Sequence, residues 1–138
     1  MASPWGERRG LARGGVGEGV IRLTLPYPPS SNSIWRAYAG RNIASASYRA
    51  WQKDALGSLL GQRWPVVTGP YAITITAERP DKRRRDVANL EKPVSDALVK
   101  AGVVRDDSDA QRVTLQWSDK PPSKNAVVYV EIEPYGRS

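Results

Sequence analysis

The sequence predicts an α+β domain in which a small mixed β-sheet is covered by two main helices. Two kinds of pattern support this prediction. Some segments alternate apolar and polar residues, as half-buried strands do, and others repeat apolar residues at helical spacing. Their order along the 138 residues is strand, helix, strand, helix, strand, strand, which favours a mixed sheet with helices packed on it.

Four segments have the composition and pattern of strands. Residues 20–25 alternate cleanly, and the prolines that follow them prevent the strand from continuing. Residues 71–77 alternate in the same way and form the second predicted strand. The last two strands are expected at 113–117 and 126–132, with a polar loop at 121–125 between them.

Two segments have apolar residues at helical spacing. The first helix is expected to begin at a serine cap, Ser45 or Ser47, and to run to about Leu60. The second is expected to start near Asn89 or Leu90 and to present an apolar stripe to the core. A glycine directly follows each predicted helix, where glycine commonly ends a helix.

The composition limits both the chemistry and the partners of this chain. It contains no cysteine and no histidine, which excludes disulfides, thiolate catalysis and Cys/His zinc sites and removes the commonest general base. The net charge of +7 is typical of a protein that binds a polyanion such as a nucleic acid. We expect a flexible Gly/Arg-rich tail at residues 1–19 and one domain at 20–135. With neither a membrane-spanning run nor a signal-peptide pattern, we expect a cytoplasmic protein.

The most informative stretch surrounds the second predicted helix. Four consecutive cations at 82–85 end directly before Asp86, and an acidic run at 106–109 follows the helix. Taken singly, these features have simpler explanations: a solvated loop, a helix cap at Asp86 and a turn after the helix. Taken together, they are what a metal-dependent nuclease needs, because carboxylates hold a hard cation and basic side chains hold phosphates. The residues alone leave both explanations open.

The same stretch carries a resemblance to a known family. The segments are RRRDVANLEK at 83–92, SDAL at 95–98 and AGVVRDD at 101–107, with LPYPPSSN at 25–32 near the start. Together they resemble the signature of the RusA family of Holliday-junction resolvases. The resemblance covers about residues 20–133.

This resemblance implies a homodimeric endodeoxyribonuclease that uses Mg²⁺ or Mn²⁺ to cut four-way DNA junctions by paired nicks in recombination and repair. It implies that Asp86, Asp107 and Lys92 are catalytic, and that Asp86, Asp106 and Asp107 bind the metal. The basic run and the motif near the start also suggest DNA contacts. These candidate contacts are Asn32, Arg36, Lys82, Arg83, Arg84 and Arg85.

One position departs from the family pattern. Where the family has a second acid, two residues after the first, this chain has Ala88, which cannot bind a metal. Asn89, Glu91, Asp109 or additional waters are candidate substitutes, since Mg²⁺ usually retains several waters. The alternative function is therefore a junction-binding protein with weakened catalysis. A third hypothesis is a basic RNA-associated or regulatory protein whose acidic residues have no catalytic role.

The two main acids flank the second helix, and this limits how they can share a metal. The helix is about 18 Å long at roughly 1.5 Å per residue. Residues 102–106 span at most about 17 Å, so the chain must turn back directly at Gly102 for Asp86 and Asp107 to meet. We expect such a site within one chain. The other arrangement is a site shared between the two chains of a dimer.

Overall fold

The computed structural model describes residues 15–17, 19–29, 35–38, 41–62 and 64–135. The strands in chain order are β1 Gly15–Gly17, β2 Val20–Pro26, β3 Trp35–Tyr38, β4 Arg41–Ala44, β5 Tyr71–Ala77, β6 Ala110–Trp117 and β7 Val127–Pro134. The two α-helices are α1 Ala46–Leu60 and α2 Glu91–Ala101. Two short 3₁₀ turns, Val87–Leu90 and Asp107–Asp109, stand before and after α2.

The main sheet is mixed, with the strand order β1-β2-β7-β5-β6, while β3 and β4 pair separately. Strand β7 is antiparallel to both of its neighbours, whereas β5 and β6 are parallel. Parallel neighbours need a long crossover connection, and α2 supplies it. The predicted α+β class with a mixed sheet and two main helices is confirmed.

One face of the sheet carries the hydrophobic core. The side chains of β2, β5 and β7 on this face lie in register, as in the row formed by Ile21, Ile132 and Ile73. The helices cover this face with buried residues of their own. The core residues from α1 are Tyr48, Trp51, Ala55 and Leu59, and those from α2 and its approach are Leu90, Val94, Ala97 and Leu98. Burying each large aliphatic side chain contributes about 1.5–3 kcal/mol.

The helix ends follow the sequence signals closely. Of the two candidate serines, Ser45 caps α1, because its hydroxyl accepts a hydrogen bond from the Tyr48 backbone N–H at 3.1 Å. Helix α2 begins at Glu91, directly after the first 3₁₀ turn. It ends at Gly102, whose φ of 84° lies in the left-handed region that glycine adopts without strain.

Strands β2 and β7 end at Pro26 and Pro134, one and two residues later than predicted, and three differences are larger. Strand β6 begins at Ala110 rather than at residue 113, because it forms an edge of the sheet and its first residues are not buried on one face. Strands β3 and β4 were not predicted from the sequence. Gly15–Gly17 pair with β2, so these three residues of the predicted tail belong to the sheet. Residues 1–14 lie outside the described residues, and the division into tail and domain stays a prediction.

None of the helices in the described part of the chain is long and apolar enough to cross a membrane.

Candidate active site

A loop of basic residues begins the candidate site. We call residues 81–85 the basic loop; it follows the carboxyl end of β5. Its first residue, Asp81, accepts hydrogen bonds from Nε and Nη2 of Arg85 at 3.1 and 2.7 Å. The same carboxylate accepts from the backbone N–H of Arg83 at 3.1 Å and from its Nε at 3.3 Å. The hydrogen bonds from Arg85 are the main reason why the pKa of Asp81 lies well below its usual range.

The cations of the basic loop differ in how far they are free to contact DNA. Lys82 and Arg84 are exposed, and neither forms an ion pair with a residue that the structure describes. Arg83 is paired with Asp81 but its side chain is 76% exposed, whereas that of Arg85 is only 17% exposed. Arg85 is therefore held by the protein, while the other three cations can reach a phosphate.

The two remaining candidate DNA contacts lie outside what the structure describes in full. Asn32 is not among the described residues. Arg36 lies in β3, of which only the backbone is described. Their assignment to DNA stays a prediction.

Asp86 starts the first 3₁₀ turn. Its carboxylate accepts a hydrogen bond from the Ala88 backbone N–H at 3.0 Å, so the capping role that the sequence allowed is real. The residue is exposed, and the bond leaves acceptor positions free for another ligand. The turn packs beside β6, the strand that the acidic run precedes.

Lys92 lies one residue inside α2 and points to solvent. Its side chain is 69% exposed, and its Nζ lies 3.5 Å from the carboxylate of Asp96, one helical turn further on. Exposed pairs of this kind contribute only about 0.3–0.5 kcal/mol. The ammonium group is thus available to a bound phosphate at little cost.

The acid pair after α2 is shaped by the second 3₁₀ turn. The Asp106 carboxylate accepts a hydrogen bond from the Ser108 backbone N–H at 3.0 Å. That bond is the main reason why the pKa of Asp106 is lowered. Asp107 is exposed, so the two neighbouring carboxyl groups meet at the surface. Asp109 lies 3.9 Å from the Arg105 guanidinium.

Tyr71, the first residue of β5, lies near both these acids and the start of α2. It pairs with Ala110, which directly follows the second 3₁₀ turn. Burial raises the pKa of Tyr71 to about 12, and four nearby carboxylates add to the shift. In decreasing order of effect they belong to Asp107, Asp109, Asp106 and Glu91. Glu91 is the first residue of α2, and the other three acids come after the end of α2. Acids from before and after the helix therefore lie near the Tyr71 phenol.

The donor set suits a hard cation. In the parts of the chain that the structure describes, no three acidic side chains are grouped closely enough to form a complete metal cage. Mg²⁺ does not require such a cage, because it often uses one or two carboxylates and keeps several waters. The adjacent Asp106 and Asp107 therefore fit the expected metal. The structure gives no contact between either of them and Asp86.

A buried hydrogen-bond network that the sequence did not predict lies where β5 leads into the basic loop. Glu78 directly follows β5, and its carboxylate accepts hydrogen bonds from Lys120 Nζ at 2.8 Å, Tyr129 Oη at 2.7 Å and the Val127 backbone N–H at 3.1 Å. Burial raises the pKa of Glu78, but these hydrogen bonds outweigh it and lower the pKa overall. The network fixes the point where the basic loop leaves the sheet. Its members are 42 to 51 residues apart, so no local pattern could identify it.

An α+β domain with a basic loop and exposed carboxylates at both ends of one helix carries the kinds of group that proteins use to bind and cut a phosphodiester backbone. The family described as Endodeoxyribonuclease RusA matches residues 26–133 of this chain. The crossover junction endodeoxyribonuclease rusA of Enterobacteria phage 82 is 36% identical over 118 residues, which cover 85% of this chain and 97% of that protein. Crossover junction endodeoxyribonuclease RusA of Escherichia coli K12 is 35% identical over 115 residues, covering 83% and 94%.

The chain belongs to the RusA family. The predicted family is thus confirmed over nearly the whole stretch in which the resemblance was seen, and with it the enzyme class, an endodeoxyribonuclease.

Proposed function

We propose that this protein is a metal-dependent endonuclease that resolves four-way (Holliday) DNA junctions by paired cleavage, in recombination and repair. The observation that carries the proposal is membership of the RusA family over residues 26–133. The relatives are named crossover junction endodeoxyribonucleases. The exposed basic loop beside the acids supports it, since cations that hold phosphates set the register of a duplex. The substrate suggests action in the cytoplasm of a bacterium, with the gene carried by the bacterium or a phage.

The proposed cofactor is Mg²⁺, with Mn²⁺ as an alternative, held by Asp106 and Asp107 together with an Asp86 that belongs either to the same chain or to the partner in a dimer. Such a metal polarises the phosphate and activates a water. Asp107 and Asp106 supply adjacent oxygen ligands, and Asp86 supplies a further oxygen beside its capping bond. Lys92 would stabilise the negative charge that develops on the phosphate, after leaving its weak pair with Asp96.

Glu91 is the residue that best replaces the acid missing at Ala88. In a 3₁₀ turn, side chains three residues apart eclipse each other, so Glu91 projects from the side of the chain that Ala88 occupies. Glu91 also shares the surroundings of Tyr71 with Asp107. Its Oε2 accepts a hydrogen bond from Ser95 Oγ at 3.0 Å, which leaves the other oxygen free. Of the other substitutes, Asp109 already has a cationic neighbour.

The homodimer remains part of the proposal. Among the described residues, strand β6 pairs only with β5 and so forms an edge of the sheet, and most of its side chains are exposed. An unpaired edge of this kind can pair with another strand, which would allow a two-fold dimer. If Asp86 and Asp107 meet only across a dimer, mixing Asp86→Asn and Asp107→Asn chains restores cleavage. If each site is built within one chain, the mixed dimers stay inactive. Sedimentation velocity measures the dimer itself.

The proposed function is tested by incubating the protein with a labelled synthetic four-way junction and Mg²⁺. We expect cleavage of the junction and not of a linear duplex of the same sequence. We expect Asp86→Asn and Asp107→Asn to abolish cleavage but not binding. A junction that is bound and never cut would instead support the weakened binding protein. Equal binding to branched and linear DNA would refute both functions.

A further inference from the structure

The basic loop is held in shape by one acid within it. Asp81 is the only acid of the loop, and its carboxylate accepts four hydrogen bonds from Arg83 and Arg85. The two bonds from Arg85 are bidentate, the strongest geometry available to an arginine and a carboxylate. The bond from the Arg83 backbone N–H folds the chain back on itself two residues after Asp81. The loop is thus closed at both ends by the same side chain.

The closing pair is anchored on the body of the domain. Arg85 is largely buried, and together with Asp81 and Arg79 it lies close enough to Tyr27 to affect its phenol electrostatically. Tyr27 directly follows β2, whose carboxyl end lies at the same end of the sheet as that of β5. Arg79 stacks on the Trp117 ring at 4.4 Å. Tyr27 and Arg79, the neighbours of the Asp81–Arg85 pair, therefore both lie just after the ends of strands of the sheet.

The Asp81–Arg85 pair lies next to two functional elements, the exposed cations of the loop and Asp86. Lys82 and Arg84, between the two ends of the loop, are left exposed and without an ionic partner among the described residues. Asp86 directly follows Arg85, so the side chain that anchors Arg85 also fixes where the chain enters the turn that Asp86 caps.

We propose that Asp81 is a positioning residue for DNA cleavage, which holds the basic loop in the shape that sets the scissile phosphate against Asp86. This inference rests on the proposed endonuclease function. It assigns Asp81 and Arg85 to the architecture of the site, and it leaves Lys82, Arg84 and the exposed Arg83 as the residues of the loop that can contact phosphate.

Loss of the Asp81 charge alone would have the opposite effect on DNA binding and cleavage, which makes the proposal testable. Replacing an acid by a neutral residue in a basic loop raises the positive charge and releases Arg85. If Asp81 only offset charge, Asp81→Asn would bind DNA more tightly and cut it at the normal rate. If Asp81 positions the loop, the same variant cuts slowly even when all the DNA is bound. Small displacements of reacting groups cost up to about 100-fold in rate.

The experiment measures single-turnover cleavage of a four-way junction at saturating protein, and separately the dissociation constant without cleavage. The variants are Asp81→Asn, Arg85→Met and the double variant, with Asp54→Asn as the matched control. Asp54 is exposed on α1, and its replacement makes the same change in net charge far from the basic loop in sequence. We expect both single variants to cut at least about 10-fold more slowly than the wild-type protein at saturation. We expect the dissociation constant of Asp81→Asn to be no higher than that of the wild-type protein. The double variant should be no slower than the slower single variant, because the two residues act as a pair.

An Asp81→Asn variant that cuts at the wild-type rate at saturation would overturn the proposal, as would additive losses in the double variant. Thermal unfolding of each variant separates a folding defect from a positioning defect, since a positioning defect leaves the melting temperature near that of Asp54→Asn. Failure of the proposed function gives a different result. In that case the wild-type protein itself leaves the junction uncut.

Discussion

Replacing Glu78 by glutamine is expected to destabilise the protein far more than the same replacement at the exposed Glu133 of β7. The carboxylate is buried, with a side chain only 6% exposed, and it accepts three hydrogen bonds. Glutamine has the same shape but loses the negative charge and brings an N–H₂ group that faces other donors. At least one present donor then loses its acceptor: the Val127 N–H if the amide oxygen takes the Oε2 position, or Lys120 and Tyr129 if it takes the Oε1 position.

The expected loss can be estimated from this environment. Hydrogen bonds to a charged group contribute about 1.5–3 kcal/mol each, and breaking a buried ion pair costs about 3–5 kcal/mol. The Lys120 side chain is 41% exposed, so water compensates for part of its loss. We therefore expect Glu78→Gln to lower the free energy of unfolding by about 2–3 kcal/mol, or roughly 10 °C in melting temperature for a domain of this size.

The matched control is Glu133→Gln. Glu133 lies in β7, but its side chain is 50% exposed and lies 3.7 Å from Arg112, so this ion pair contributes less than about 1 kcal/mol. Both variants are compared by urea unfolding followed by circular dichroism. If Glu78→Gln loses no more stability than Glu133→Gln, the buried network does not stabilise the root of the basic loop.

Three further predictions follow from single features of the structure. Gly102→Ala should cost about 1–2 kcal/mol, because φ is 84° there; no loss in urea unfolding would contradict the left-handed helix end. Stability should fall as the pH drops through and below 4.5, since the pKa of Glu78 is lowered in the folded protein. It should also fall as the pH rises from 10 towards 12, since the pKa values of Tyr71 and Tyr129 are raised to about 12; unchanged urea midpoints at these pH values would refute this. Arg84→Ala should weaken DNA binding and reduce the slope of log K against log salt by about 1, and an unchanged slope would exclude a phosphate contact.

The sequence predicted the strands in which every second side chain is apolar and faces the core. Strands β2, β5 and β7 all have this period of two residues, which is visible in the sequence even for β5, a strand that is buried on both faces. The start of β6 was missed, because an edge strand exposed on both faces carries no such period. The end of α2 was predicted from Gly102 alone, since only a residue without Cβ enters the left-handed region freely.

The site was predicted in its residue types but not in its local geometry. The motif placed acids at both ends of α2, and the structure adds that Asp86 and Asp106 each cap a 3₁₀ turn. The pairing of Asp81 with Arg85 was not predicted, because a salt bridge within a loop follows no period. The DNA contact of Arg85 stays a prediction, to which the structure adds that its guanidinium pairs with Asp81.

The central claim, a junction-resolving endonuclease with Asp107 in its site, is tested most directly by mapping nicks on all four strands of a junction in Mg²⁺. The wild-type protein should introduce one nick in each of two opposing strands, at symmetric positions. Asp107→Asn should bind the same junction with similar affinity and leave every strand intact. Nicking by Asp107→Asn at the wild-type rate, or wild-type cleavage of linear duplex as fast as of the junction, would contradict the account.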